Sequence, residues 1–69
     1  MATLPPGYRY ADHLLGDLAE RLADWRKPED KHSYEWIARE LYRLTEGEID
    51  VTFSTVRNWL QLLEAEHAA

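Results

Sequence analysis

Residues 51–63, VTFSTVRNWLQLL, hold no aspartate or glutamate, and Arg57 stands in the middle of them. Acids are dense elsewhere: the 69-residue chain carries 8 Lys and Arg against 13 Asp and Glu, a formal net charge of -5. This stretch is therefore the surface best able to approach phosphate without repulsion from its own neighbours. At helical spacing, Phe53, Val56, Trp59, Leu60 and Leu63 point one way, toward a core, and Ser54, Arg57, Asn58 and Gln61 point the other. The outward set consists of hydrogen-bonding side chains around one permanent cation. Thr52 falls just ahead of them as an N-cap, and a capped helix start with its unpaired backbone amides favours a phosphate oxygen.

Other chemistries find little to work with. The chain has no cysteine, which removes disulfide frameworks, thiolate zinc sites and cysteine nucleophiles together. His13, His32 and His67 are scattered without ligand spacing, and no pair of carboxylates sits where so short a chain can wall it off from water. Neither a metal, a cofactor nor an enzyme activity is expected. No apolar run approaches the roughly 18 residues that span a bilayer, and the start, Met1-Ala-Thr-Leu-Pro-Pro-Gly7, lacks the basic and apolar regions of a signal peptide. The expectation is a cytoplasmic protein with no membrane partner. The overall acidity runs against nucleic acid, since DNA binders usually carry an excess of Lys and Arg. Neither half of the chain is basic: residues 1–31 hold five basic and six acidic side chains, residues 32–69 three and seven.

The elements that must position the polar face follow from periodicity. Leu4-Pro5-Pro6-Gly7 reads as non-helical, because proline fixes φ and lacks an amide donor, so residues 1–9 are expected to form an N-terminal arm. Its Tyr8, Arg9 and Tyr10 either cover the bundle or enter a minor groove. Leu15, Leu18, Leu22 and Trp25, with Leu14 alongside, predict a first amphipathic helix over about residues 10–25, eased by Gly16. Arg26 and Lys27 complement its dipole and Pro28 stops it. Ser33 reads as the N-cap of a second helix running to about Thr45, with Tyr34, Ile37, Ala38, Leu41 and Leu44 inward and Gly47 as the residue just past its end. Residues 48–50 connect it to the third helix, where Val51 and Val56 would form a hydrophobic staple around Thr52. The fold class expected is all-α: a three-helix bundle over residues 10–69, one domain, preceded by the arm.

Two runs give this arrangement a likeness. Ile37-Ala38-Arg39-Glu40-Leu41 and, after a turn, residues 51–60 resemble the pattern "IA..L" leading into "VT.STV..WL" of bacterial and phage helix-turn-helix DNA-binding proteins. The likeness covers about 28 residues, Ser33 through Leu60. Tyr42 to Ile49 lengthen the second helix and the turn by eight residues relative to the compact motif. In that longer form the chain looks like the small helix-turn-helix proteins of actinobacterial phages and their hosts. The resemblance implies a second helix braced against double-stranded DNA and a third inserted in the major groove. Ser54, Thr55, Arg57, Asn58 and Gln61 then match the outward positions of a recognition helix. Arg pairs bidentately with guanine O6 and N7, Asn and Gln with adenine N6 and N7, and hydroxyls serve bases or phosphate. The function implied is sequence-specific transcription regulation: a phage repressor, an activator or an excision factor.

Arg39 and Arg43 lie on the outer face of the second helix and are candidates for phosphate, although pairs with Glu35 and Glu40 account for them equally well. Trp36 shares that face and has three destinations: the arm or first helix, a partner surface, or a phosphate that accepts its indole N–H. Leu62, with Trp59 and Glu66, would offer a seam for a homodimer, which would double the contacts at half-sites about 34–36 Å apart. The alternative function is an acidic helical interaction module that binds a host protein, such as a polymerase subunit, through the Trp36 face.

Overall fold

The computed structural model describes residues 4–68, with side chains described through residue 65. Among these residues the chain is all helical: α1 (Pro6–Leu15), α2 (Leu18–Trp25), α3 (Tyr34–Leu44) and α4 (Phe53–Ala68), with no strand. The first predicted helix is thus two helices, and residues 6–9 of the expected arm belong to the first of them. Residues 1–3 of the arm lie outside the described residues.

Pro6 occupies N1 of α1, where the missing amide would have had no partner in any case and the fixed φ is already helical. Pro5 ahead of it is extended, with φ -62 and ψ 154, and its carbonyl accepts from the Arg9 amide at 3.1 Å. The same proline chemistry that bars a helix interior therefore starts one here. The earlier start carries Tyr8 into the core, 4% exposed, where its ring meets Trp59 edge-on at 5.6 Å. Tyr8 covers the bundle, as one of the two arm readings had it.

Gly16 ends α1 in the left-handed region at φ 80, a conformation that disfavours any Cβ. Its amide donates to the Asp12 carbonyl at 2.6 Å. The Asp12 carboxylate in turn accepts from the Leu18 amide at 3.2 Å, which satisfies one of the orphan donors that open α2. The break re-aims the chain between Leu15 and Leu18, so that Leu18 and Leu22 are fully buried while Leu14, expected alongside the stripe, stays 41% exposed.

From Trp25 the chain turns through residues 26–32. The His32 amide returns to the Trp25 carbonyl at 2.9 Å, Arg26 donates to the His32 carbonyl at 2.8 Å, and its guanidinium lies 4.7 Å from the Tyr34 ring centroid. Ser33 caps α3 as expected: its Oγ accepts from the Trp36 amide at 3.1 Å. Of the three destinations for Trp36, the end of the first predicted helix is where it packs. Its half-buried indole stacks on His32 at 3.7 Å and meets Trp25 edge-on at 5.7 Å.

The core gathers Ala11, Leu18, Leu22, Ile37, Leu41, Val56 and Trp59, with Tyr8, Ala38 and Ile49 at its margin. Each fully buried leucine or isoleucine stabilises the fold by about 1.5–3 kcal/mol relative to exposure. The most extensive helix pairing is α3 with α4. Besides Leu14, two side chains depart from the expected pattern: Ile49, placed in a connection, is 4% exposed, and Phe53, placed in the core, is 50% exposed. Trp59, at 1% exposure, cannot project into a dimer seam. Leu62 is half-buried, and the Glu66 side chain lies outside the described residues.

Candidate nucleic-acid interface

The eight residues between α3 and α4 set where α4 begins, and their geometry is well determined by hydrogen bonds. Thr45 follows α3 and is buried. Its Oγ1 donates to the Leu41 carbonyl at 2.6 Å and accepts from the Ile49 amide at 3.0 Å. One hydroxyl thus ties the end of α3 to the residue that re-enters the core. The Gly47 amide donates to the Tyr42 carbonyl at 2.8 Å and the Glu46 amide to the Arg43 carbonyl at 3.3 Å, the paired bonds of a Schellman motif. In that motif the first residue past the helix cap is Glu46, at φ 53, and Gly47, at φ 85, is the second. The glycine was expected one position earlier, and a glutamate holds the left-handed position instead.

The far side of this turn is pinned to α1, since the Tyr10 hydroxyl donates to Glu48 Oε2 at 3.1 Å. Hydrogen bond and negative charge both favour the neutral phenol, and they raise the Tyr10 pKa above its ordinary value. Thr52 then caps α4: its Oγ1 accepts from the Thr55 amide at 3.4 Å and lies 3.3 Å from the Thr55 hydroxyl. Its carbonyl accepts from the amides of Thr55 and Val56 at 3.1 and 3.2 Å.

Beyond the cap, Ser54, Arg57, Asn58 and Gln61 are all exposed. They occupy one side of α4, opposite Val56, Trp59 and Leu63, as the 100° step of a helix requires. Thr55 is half-buried and turned toward the Thr52 hydroxyl. Among the described residues, Arg57 enters no ion pair, and the same holds for Arg39 on α3. Glu35 and Arg39 do not form the pair their spacing allows, whereas Arg43 does pair with Glu40. Arg39 and Arg43 are exposed on α3, and among the described residues neither hydrogen-bonds to α4. Ser54, Arg57, Asn58 and Gln61 are thus brought onto one helix face, with exposed Thr52 at the N-terminal end of the helix and the α3 arginines on a separate helix beside it. Exposed Glu46, Glu48 and Asp50 precede the face and Glu64 follows it.

Two contributors escaped the sequence reading. Thr45 gives no periodic signal, although a threonine four residues after Leu41 at a helix end is placed to bond that carbonyl. Phe53 was assigned inward by spacing, yet it lies about a quarter-turn from the line through Val56, Trp59 and Leu63.

Among the described residues no three metal-ligating side chains gather. Among the same residues, no helix is long and apolar enough to cross a membrane. A groove of about 170 Å³ between Leu22 and Ala23 of α2 and Leu60 and Leu63 of α4 is smaller than the about 300–1,000 Å³ of a small-molecule site. Compared with protein-family models, curated proteins and solved structures, the chain matches none.

Proposed function

We propose that the chain binds double-stranded DNA sequence-specifically through a helix-turn-helix made of α3 and α4, and acts as a cytoplasmic transcription regulator of the phage type. One observation carries the reading: on a chain of net charge -5, the exposed face of α4 over its first three turns is free of carboxylates and presents Arg57, without an ion pair among the described residues, beside Asn58. Ordinary solvated faces of so acidic a protein would be expected to carry acids.

In this reading α4 enters the major groove. Arg57 pairs with a guanine, Asn58 and Gln61 with adenines, and Ser54 supplies a hydroxyl, while the Thr55 hydroxyl stays beside the Thr52 cap. Thr52 and the first amides of α4 hold a phosphate oxygen. Arg39 and Arg43 of α3 approach the backbone, Arg43 after leaving Glu40. The acidic exterior repels DNA at long range and slows association, so affinity has to come from close contacts. A homodimer would double them.

Selection from randomised duplexes, repeated across salt concentrations, tests the proposal. A defined site should emerge, and affinity should fall linearly in log-log form with salt. Arg57→Ala should cost about 1–3 kcal/mol and relax the preference at one base pair. No selected sequence and no binding at low salt would refute it. The net charge also favours a second reading, an interaction module that captures a host protein through half-buried Trp36. There, Trp36→Ala would abolish capture and Arg57→Ala would leave it intact.

A further inference from the structure

Phe53 is the chain's single phenylalanine, and half of its surface is exposed at the first position of α4. The other large apolar side chains described on this helix, Val56, Trp59, Leu60, Leu62 and Leu63, are buried or half-buried. The phenyl ring instead borders the polar face. Phe53 and Arg57 are four residues apart, so they stand about 40° apart around the helix and about 6 Å apart along it. Thr52 and Ser54, its neighbours in sequence, are exposed as well. An aromatic ring is thereby held at the leading end of the surface assigned to the major groove. The apolar group that B-DNA offers there is the 5-methyl of thymine.

Resting on the DNA-binding reading above, we infer that Phe53 is a specificity-determining residue that packs on the methyl group of a thymine. With base pairs about 3.4 Å apart along the duplex, the 6 Å offset from Arg57 places this thymine one or two base pairs from the guanine that Arg57 reads. The site preference is then a G and a T at that spacing.

The experiment uses the duplex selected by the wild-type protein, in which each thymine is replaced in turn by uracil, a change that removes the methyl and nothing else. Uracil at one thymine, one or two pairs from the Arg57-dependent guanine, should weaken wild-type binding about fourfold, the worth of one buried methyl group. Phe53→Ala should bind thymine and uracil duplexes equally, whereas Leu14→Ala, which alters an exposed apolar residue on α1, should keep the fourfold difference. If uracil is neutral at every position, or if the fourfold loss persists in Phe53→Ala, the inference is overturned while DNA binding stands. If no duplex is bound, the underlying reading fails first. If Phe53→Ala does not fold, Phe53→Gln takes its place: it should bind thymine and uracil duplexes equally, and a fourfold loss that persists in it overturns the inference.

Discussion

Replacing Thr45 with valine preserves the shape of the side chain and deletes the hydroxyl that joins α3 to the turn. The Leu41 carbonyl loses little, because it also accepts from the Thr45 amide at 3.1 Å. The Ile49 amide loses its partner at 3.0 Å in a buried setting, and an unsatisfied buried donor costs about 1–3 kcal/mol. A chain of this length has roughly 3–10 kcal/mol of total stability, so the loss is a large share of it. At about 4–8 °C per kcal/mol, a cost of about 2 kcal/mol lowers Tm by about 8–16 °C. Urea unfolding followed by tryptophan fluorescence, from buried Trp59 together with half-buried Trp25 and Trp36, reads the change. The midpoint should fall with the slope unchanged, since the same surface is exposed on unfolding. Thr45→Ser keeps the hydroxyl and loses one methyl, about 0.8 kcal/mol, so it should fall between wild type and valine. A Thr45→Val protein as stable as wild type would refute the assignment of this hydroxyl as the tie that places α4.

Three other outcomes follow. Glu46→Gly should stabilise the fold by about 0.5–1 kcal/mol in the same urea assay, because relief of the left-handed strain exceeds the entropy that glycine adds to the unfolded chain; a lower midpoint would contradict the turn geometry. Tyr10 should ionise above the ordinary tyrosine value of 10.0 by ultraviolet titration, and Glu48→Gln should return it toward that value. Because the folded-state pKa is raised, this contact stabilises fully below the unfolded pKa and is lost as pH rises through the raised one; a Tyr10 titration indifferent to Glu48 would show that the contact is absent in solution. Asn58→Ala should weaken the selected duplex by about 1–3 kcal/mol and relax the preference for one adenine, measured by competition at fixed salt, whereas equal affinity would remove Asn58 from the interface.

Signals that act within one helical turn were legible from the chain. Ser33 and Thr52 cap α3 and α4 because a cap is a contact between residues two or three apart. The inward faces of both helices follow from side chains that repeat with the helical period, and so does the outward row of Ser54, Arg57, Asn58 and Gln61. The acid-free stretch is a property of composition that folding cannot change.

What depended on distant partners was not legible. Whether Pro6 opens a helix or bars one turned on Tyr8 finding Trp59, more than fifty residues away. Gly16 was read as an easing of one helix and is the end of one, because burying both Ala11 and Leu22 requires α1 and α2 to diverge. Ile49 is buried because Thr45 draws its amide inward, and Trp36 is covered because the turn after Trp25 brings His32 onto its face. Phe53 has the apolar character of a core residue and stands at the border of the stripe. Sequence determined that it lies on α4, and only the placement of the other helices decided that, among the described residues, half of its surface stays uncovered, since burial is a property of what arrives opposite a side chain.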